Sequence, residues 1–461
     1  MSPLPPIPAP AGSRLSRRAL IGGLAGLAAA GAAGCTPDVY GRRDHPPQPT
    51  DPVDMEEELQ KPAKITFWAW TPGIDTQVEL FQKRYPQIEV ELVNAGQGPA
   101  QYQKLRTALS GGGAPDAAQI EFAYLPSFMI TRDLLDLTPY GAREIKDDFV
   151  DFAWNQVAVN DGVYAIPQDS GPMGMLYRSD VFDKYGLTVP VTWDDFAEQA
   201  ERLRSQTKGV SMTNLLPNDS MSALGMMQQA GSEPFSIASQ TTIGLKLDDA
   251  GARKWADYWT PLLQEGLISA DPGSNNDWYQ AMASGRYATY IAAAWGPAYL
   301  QGSAASSAGK WRAARLPQWA PDQDVAGNWG GSTTAVMAGS KYPAAAAGFA
   351  EFINHDPECA RLFASKQLLF PVLKSLLADP SFTQQEVDFY GGQKVFDLFS
   401  KISDTVPHEY QWNPFMAFVN TEFNQVLGGA ISARTDLVDA LRTLQDDVLT
   451  YAHKQGFTVE S

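Results

Sequence analysis

Two acids and two amides stand where they could bind hydroxyl groups. Glu121 ends an apolar run, Gln168 and Asp169 follow Ile166-Pro167, and Gln97 lies in the loop Asn94-Ala95-Gly96-Gln97-Gly98-Pro99. Aromatic residues stand near run ends and in loops: Trp70 followed by Thr71, Tyr124, Trp295, Trp329, and Trp412 within Tyr410-Gln411-Trp412-Asn413-Pro414. Trp278 sits in the polar cluster Asn275-Asn276-Asp277-Trp278-Tyr279. This set suits recognition rather than bond making. A flat ring stacks on the apolar C–H face of a pyranose, while acids and amides take its hydroxyl rim. Apolar walls with a few placed polar groups are the general make-up of a small-molecule pocket. Gly331, next to Gly330 and Trp329, is a candidate for its backbone. Trp193, Trp255 and Trp259 fall at helical core spacing and read as packing residues.

Other chemistries fare worse. The 461 residues carry 35 Lys and Arg against 52 Asp and Glu, a net charge of −17. An acidic chain lacks the basic footprint that a phosphate backbone needs, so nucleic acid is not an expected partner. Two cysteines exclude a disulfide scaffold, and four scattered histidines argue against a metal site. No cofactor and no catalytic residue is expected. The loops 71–73, 94–98 and 123–126 contain no Lys or Arg, which argues against a phosphorylated ligand. Two alternatives stay open. A secreted glycosidase would also combine aromatic platforms with a pair of carboxylates. A polyamine would want several carboxylates with aromatic faces.

The elements that would position these residues follow from periodicity. Residues 64–70 read as a strand, 75–85 as a helix, 88–93 as a strand, a helix around Tyr102 to Leu109 stops at Gly111-Gly112-Gly113, and 117–122 is a third strand. This β-α-β-α-β order implies a parallel sheet whose ligands sit beyond the carboxyl ends of its strands. Further on, Thr192 reads as an N-cap answered by Asp195. Residues 287–293 and 332–337 read as strands, and the tail from Thr435 to Tyr451 as a closing helix.

The N-terminus reads as an address. Ser16-Arg17-Arg18-Ala19-Leu20-Ile21 puts twin arginines before an uncharged Gly/Ala-rich run, residues 19–33, too short to span a bilayer. The pattern suits twin-arginine export. It ends in Ala32-Ala33-Gly34-Cys35, similar to a lipoprotein cleavage box with Ala where Leu is usual, so residues 1–35 form a signal ending at a lipidated Cys35. Residues 36–62, with Pro37, Pro46, Pro47, Pro49, Pro52 and Pro62, read as a flexible tether. Cys359 reads as a buried small hydrophobe.

Several segments, in order, carry a resemblance. They are Ile65 to Trp70; Tyr85-Pro86-Gln87-Ile88-Glu89-Val90; Lys104-Leu105 through Gly113-Ala114-Pro115-Asp116; Leu134-Leu135-Asp136-Leu137; Tyr164-Ala165-Ile166-Pro167 through Leu176-Tyr177-Arg178-Ser179-Asp180; Gly186-Leu187 to Thr192-Trp193-Asp194-Asp195-Phe196; and Gly330-Gly331 with residues 341–352. Together they resemble extracellular solute-binding protein family 1, the sugar-binding lipoprotein component of bacterial ABC transporters. Arg178 stands where Asn is more usual. The resemblance implies an α/β fold of two lobes, each a mostly parallel sheet flanked by helices, with a hinge and a ligand cleft between them. Residues 63–166 and 332–395 would form lobe 1, and 167–331 and 396–461 lobe 2, with crossings near Ile166-Pro167 and Gly327 to Gly331. It also implies a carbohydrate ligand, permease subunits as partners, a monomer, and a place outside the cell membrane behind a lipid anchor.

Overall fold

The computed structural model describes residues 45, 47–239, 241–367 and 369–460. The twin-arginine leader, Cys35 and residues 36–44 of the tether lie outside the described residues. Eight strands position the site: β1 (Ala63–Trp68), β2 (Ile88–Val93), β3 (Ala117–Glu121), β4 (Ile166–Pro167), β5 (Met173–Arg178), β6 (Thr289–Ala293), β7 (Trp311–Arg315) and β8 (Ser332–Val336).

The first sheet has the order β2-β1-β3-β8-β4. β1, β2 and β3 are parallel, joined by helices Asp75–Arg84 and Pro99–Gly111, while β8 runs antiparallel to β3 and β4. The alternation of β1 explains its seat: Ile65 and Phe67 are fully buried, and Lys64 faces out to Glu89. Helix Pro343–His355 covers the sheet through Phe349, whose ring lies 5.0 Å from Phe67 and 5.1 Å from Phe81.

The second sheet corrects one expectation. Its order is β6-β5-β7, and β5 runs antiparallel to both neighbours, so this half is not built on a mostly parallel sheet. β6 and β7 do run the same way and are linked through helix Gly296–Ser303, but β5, arriving from the other half, fills the gap between them in the opposite sense. Isolated parallel bridges, Ser211 with Tyr287 and Asn214 with Ser269, extend the β6 side. Around this sheet the expected helices form. Thr192 accepts from the Asp195 N–H and Asp195 accepts in return, a capping box at the start of helix Trp193–Gln206. Trp193, Trp255 and Trp259 are at most 1% exposed. Cys359 is buried, which pushes its thiol pKa up to about 12.

A second correction concerns the tether. From Gln48 it lies on the first half instead of hanging free. The Val53 N–H donates to the Pro139 carbonyl (2.7 Å) and the Asp136 N–H to Gln48 Oε1 (2.9 Å). The short helix Met55–Glu58, capped by Asp54, rests on helix Pro343–His355, and Gln87 donates to the Leu59 carbonyl. The prolines that suggested disorder remove N–H groups that packing would otherwise have to satisfy.

The chain passes between the sheets along residues 168–172 and returns before β8. These passages pair with each other. The Trp329 N–H donates to the Gly171 carbonyl (2.8 Å), the Met173 N–H to the Gly327 carbonyl (2.9 Å), and Pro172 bridges Asn328 in antiparallel sense. Among the described residues no helix is long and apolar enough to cross a membrane.

Candidate functional site

The floor of the site is the place where both passages meet the strand ends. Asp169 Oδ1 accepts from the Ser332 N–H (2.8 Å) and hydroxyl (2.5 Å), so the residue that leaves β4 holds the residue that opens β8. Gln119 on β3 binds the neighbours. Its Nε2 donates to Gln168 Oε1 (2.7 Å), and its Oε1 accepts from the N–H groups of Trp70 (3.2 Å) and Thr71 (3.3 Å). Gln119 is buried, so these bonds act in a low dielectric and are costly to leave unmade. Two glycines permit the close approach. A Cβ on Gly171 would lie 1.9 Å from the Trp329 carbonyl oxygen. Gly331 has φ +112°, and a Cβ there would lie 2.5 Å from Phe122.

The walls come from both halves. From the first, Tyr102 and Tyr124 lie 4.4 Å apart, Trp70 meets Tyr102 edge to face, and the Tyr102 hydroxyl donates to Glu121 (2.9 Å). From the second, Trp295 meets Trp329 edge to face at 5.1 Å, and its indole N–H donates to the Trp329 carbonyl (3.2 Å). Asp219, the N-cap of helix Ser220–Gln229, takes a hydrogen bond from the Trp329 side chain. Asn420, on helix Met416–Gln425, accepts from the Ser220 hydroxyl (2.5 Å) and hydrogen-bonds Tyr124, which ties the two walls together.

Three carboxylates therefore converge on one cleft. Burial pushes Glu121 up to about 7, helped by the charges of Asp169 and Asp219 and opposed by the Tyr102 hydrogen bond. Burial pushes Asp169 and Asp219 up to about 6, against the hydrogen bonds each accepts. Burial and the Glu121 charge likewise raise Tyr124. The hydrogen-bond partners of all three acids are neutral. Among the described residues no group of three His, Cys, Asp or Glu side chains is placed to hold a metal ion.

The structure brings together Trp70, Thr71, Glu121, Tyr124, Gln168, Asp169, Trp295, Trp329 and Gly331. It does not gather the other three. Gln97 is exposed on its loop, with no described bond to the cluster. Trp278 is an inward residue of helix Asn276–Ser284, 4% exposed and packed edge to face on Tyr290, because the helix turns its ring into the second half. Trp412 is 3% exposed against Tyr410, which Gln156 holds through its carbonyl (2.9 Å). Sequence reading missed Gln119, Tyr102, Asp219, Ser332 and Asn420. Of these only Asp219 left a local sign, an Asp just before a Ser-rich helix start. A surface concavity of about 830 Å³ lies elsewhere, between the short helix Met55–Glu58 and helix Pro343–His355. It shares no residue with the floor.

The raised carboxyls couple the cleft to pH. In the unfolded chain these groups titrate near 4.5 for Glu121 and 3.8 for Asp169 and Asp219, so the folded chain holds their protons more tightly. Their contribution to stability is full below the unfolded values and is lost as pH rises through about 6 and then 7. Thermal midpoints of the unliganded chain should fall from about pH 5 to about pH 8, and Glu121→Gln should flatten the upper part of that fall. A midpoint that is flat or rising across this range in the unsubstituted chain would contradict the electrostatics described.

Comparison with known proteins agrees with this architecture. Residues 67–356 match the family model for bacterial extracellular solute-binding proteins. The chain is 26% identical over 365 residues to a lactose-binding protein of Rhizobium radiobacter, covering 75% of this chain and 83% of that one. It is 24% identical over 393 residues to an arabinooligosaccharide-binding protein of Halalkalibacterium halodurans, covering 80% and 86%. Among solved structures, an ABC transporter associated binding protein of B. animalis subsp. lactis Bl-04 in complex with beta-1,6-galactobiose matches with a TM-score of 0.75 and 30% identity, over 86% of this chain and 99% of that one. The galacto-N-biose-/lacto-N-biose I-binding protein of Bifidobacterium longum shares the fold, with a TM-score of 0.75 at 24% identity over 86% and 98%. With the family model spanning most of the chain and the fold matched over nearly all of its described length, this chain belongs to the bacterial extracellular solute-binding protein family.

Proposed function

We propose that the protein is the substrate-binding receptor of an ABC importer, capturing a carbohydrate of more than one ring and delivering it uncleaved to a permease. The observation that carries this reading is the convergence of rings and carboxylates from both halves onto two paired passages. Trp70, Tyr102 and Tyr124 stand on one side, Trp295 and Trp329 on the other, and Asp169 lies between them. A ligand held there touches both walls only when they close, so its differential affinity for the closed arrangement favours closure. The relatives named for lactose and arabinooligosaccharides, and the neighbour solved with beta-1,6-galactobiose, support a carbohydrate. We further propose twin-arginine export, anchoring at the outer face of the cell membrane through lipid on Cys35, and action as a monomer. Three carboxylates with neutral partners also suit a polyamine, which is the second reading.

The test is a panel of lactose, beta-1,6-galactobiose, arabinooligosaccharides, maltose and putrescine, followed by tryptophan fluorescence and thermal midpoint. A ligand at about a thousand times its Kd stabilises the folded state by about 4 kcal/mol. The expected result is a saturable response to one or more saccharides, with the sugar recovered intact. A response to putrescine alone would move the assignment to the polyamine, and cleaved sugar would move it to a hydrolase. Protein taken from the membrane fraction should begin at a lipid-modified Cys35 in its mass spectrum; an unmodified N-terminus would overturn the anchor.

A further inference from the structure

Three rings rise in sequence from the floor to solvent. Trp329 is 5% exposed and lies on the return passage. Trp295 is half-buried, and its ring centroid is 5.1 Å from that of Trp329. Tyr299 is 54% exposed, with its centroid 5.5 Å from that of Trp295. Trp295 immediately precedes helix Gly296–Ser303 and Tyr299 lies one turn on, so the helix presents both on one face. Both contacts are edge to face, at 68° and 79°. An edge-to-face contact covers at most one face of one ring, so the two outer rings, Trp295 and Tyr299, keep exposed surface beside each other.

Tyr299 is unusual among the exposed side chains. The other large exposed hydrophobics among the described residues are Val189, Val191 and Tyr342. The two valines stand just before helix Trp193–Gln206, and Tyr342 just before helix Pro343–His355. Tyr299 alone of the four touches a ring of the cleft. It is also close enough to Asp169 for that charge to act on its hydroxyl, which places it over the same cleft as the floor acid. Tyr279, half-buried on helix Asn276–Ser284 and hydrogen-bonded to Ser303, is near enough for its charge to act on the Tyr299 hydroxyl as well.

We propose that Tyr299 is a specificity-determining residue: it receives the second ring of a carbohydrate whose first ring sits on the floor against Trp295 and Asp169, and so favours linked sugars over single ones. This rests on the carbohydrate reading above. The 5.5 Å centroid step from Trp295 to Tyr299 is of the order of one residue of a linked sugar chain. A single ring on the floor leaves Tyr299 in water. A second ring buries the exposed phenol face against its C–H face, a contact the single ring cannot make.

The experiment is calorimetric titration of the full chain and of Tyr299→Ala and Tyr299→Phe with beta-1,6-galactobiose, lactose and galactose. Because the side chain is exposed, unchanged thermal midpoints are expected and will show that the variants fold. Tyr299→Ala should weaken binding of the two-ring ligands by about tenfold more than that of galactose, and Tyr299→Phe should restore most of the difference. Equal loss for one-ring and two-ring ligands, or none for the two-ring ligands, would overturn the proposal. If the unsubstituted chain binds no saccharide, the carbohydrate reading fails and takes this proposal with it. If it binds them and Tyr299→Ala changes nothing, only the role of Tyr299 is lost.

Discussion

The structure depends on two segments that pass between the sheets being hydrogen-bonded to each other. Gly171 and Met173 meet Trp329 and Gly327 through two backbone bonds, and Asp169 clasps Ser332 at the same point. This pairing forces the ends of β4 and β8 together, and Gln119 then draws in the ends of β1 and β3. It also explains why Gly171 has no side chain: the Trp329 carbonyl occupies that space. A double passage of this kind can bend as a unit while both sheets stay rigid. That is the mechanical requirement for closing on a ligand without unfolding either half.

The same constraint sets the electrostatics. Bringing the passages together buries Asp169 and brings Glu121 and Asp219 near it from opposite walls. Burial disfavours ionisation of all three carboxyls, and the charges of Asp169 and Asp219 add to it at Glu121, so all three hold their protons harder than in water. Hydroxyl groups of a ligand would replace some of the water these acids lose, and the surrounding rings keep the cleft from being rehydrated. The Tyr124–Asn420–Ser220 chain shows that the two walls also interact directly.

Features announced by short-range spacing were legible in the sequence. The Thr192–Asp195 capping box, the parallel β1–β3 segment and the packing of Trp193, Trp255 and Trp259 rest on local spacing, and the structure has them. Features that depend on distant partners were not legible. Gln119 reads as an ordinary strand residue until Thr71, Gln168 and Ser332 surround it. Trp278 and Tyr279 look equivalent in sequence, and only the orientation of their helix sends Trp278 inward to Tyr290. The antiparallel sense of the second sheet was hidden because β5 comes from across the passage. The prolines of residues 47–52 imitated a free tether, while contacts through Gln48 and Val53 seat that stretch on the first half.

The central claim is that one ligand engages both halves at the paired passages. Hydrogen–deuterium exchange with and without a bound saccharide tests it most directly. The account predicts slowed exchange in three groups of residues at once: 119–124 on the first wall, 168–171 and 327–332 at the passages, and 219–222 with 295–299 on the second wall. Protection confined to one wall, or centred on the concavity between helices Met55–Glu58 and Pro343–His355, would contradict it.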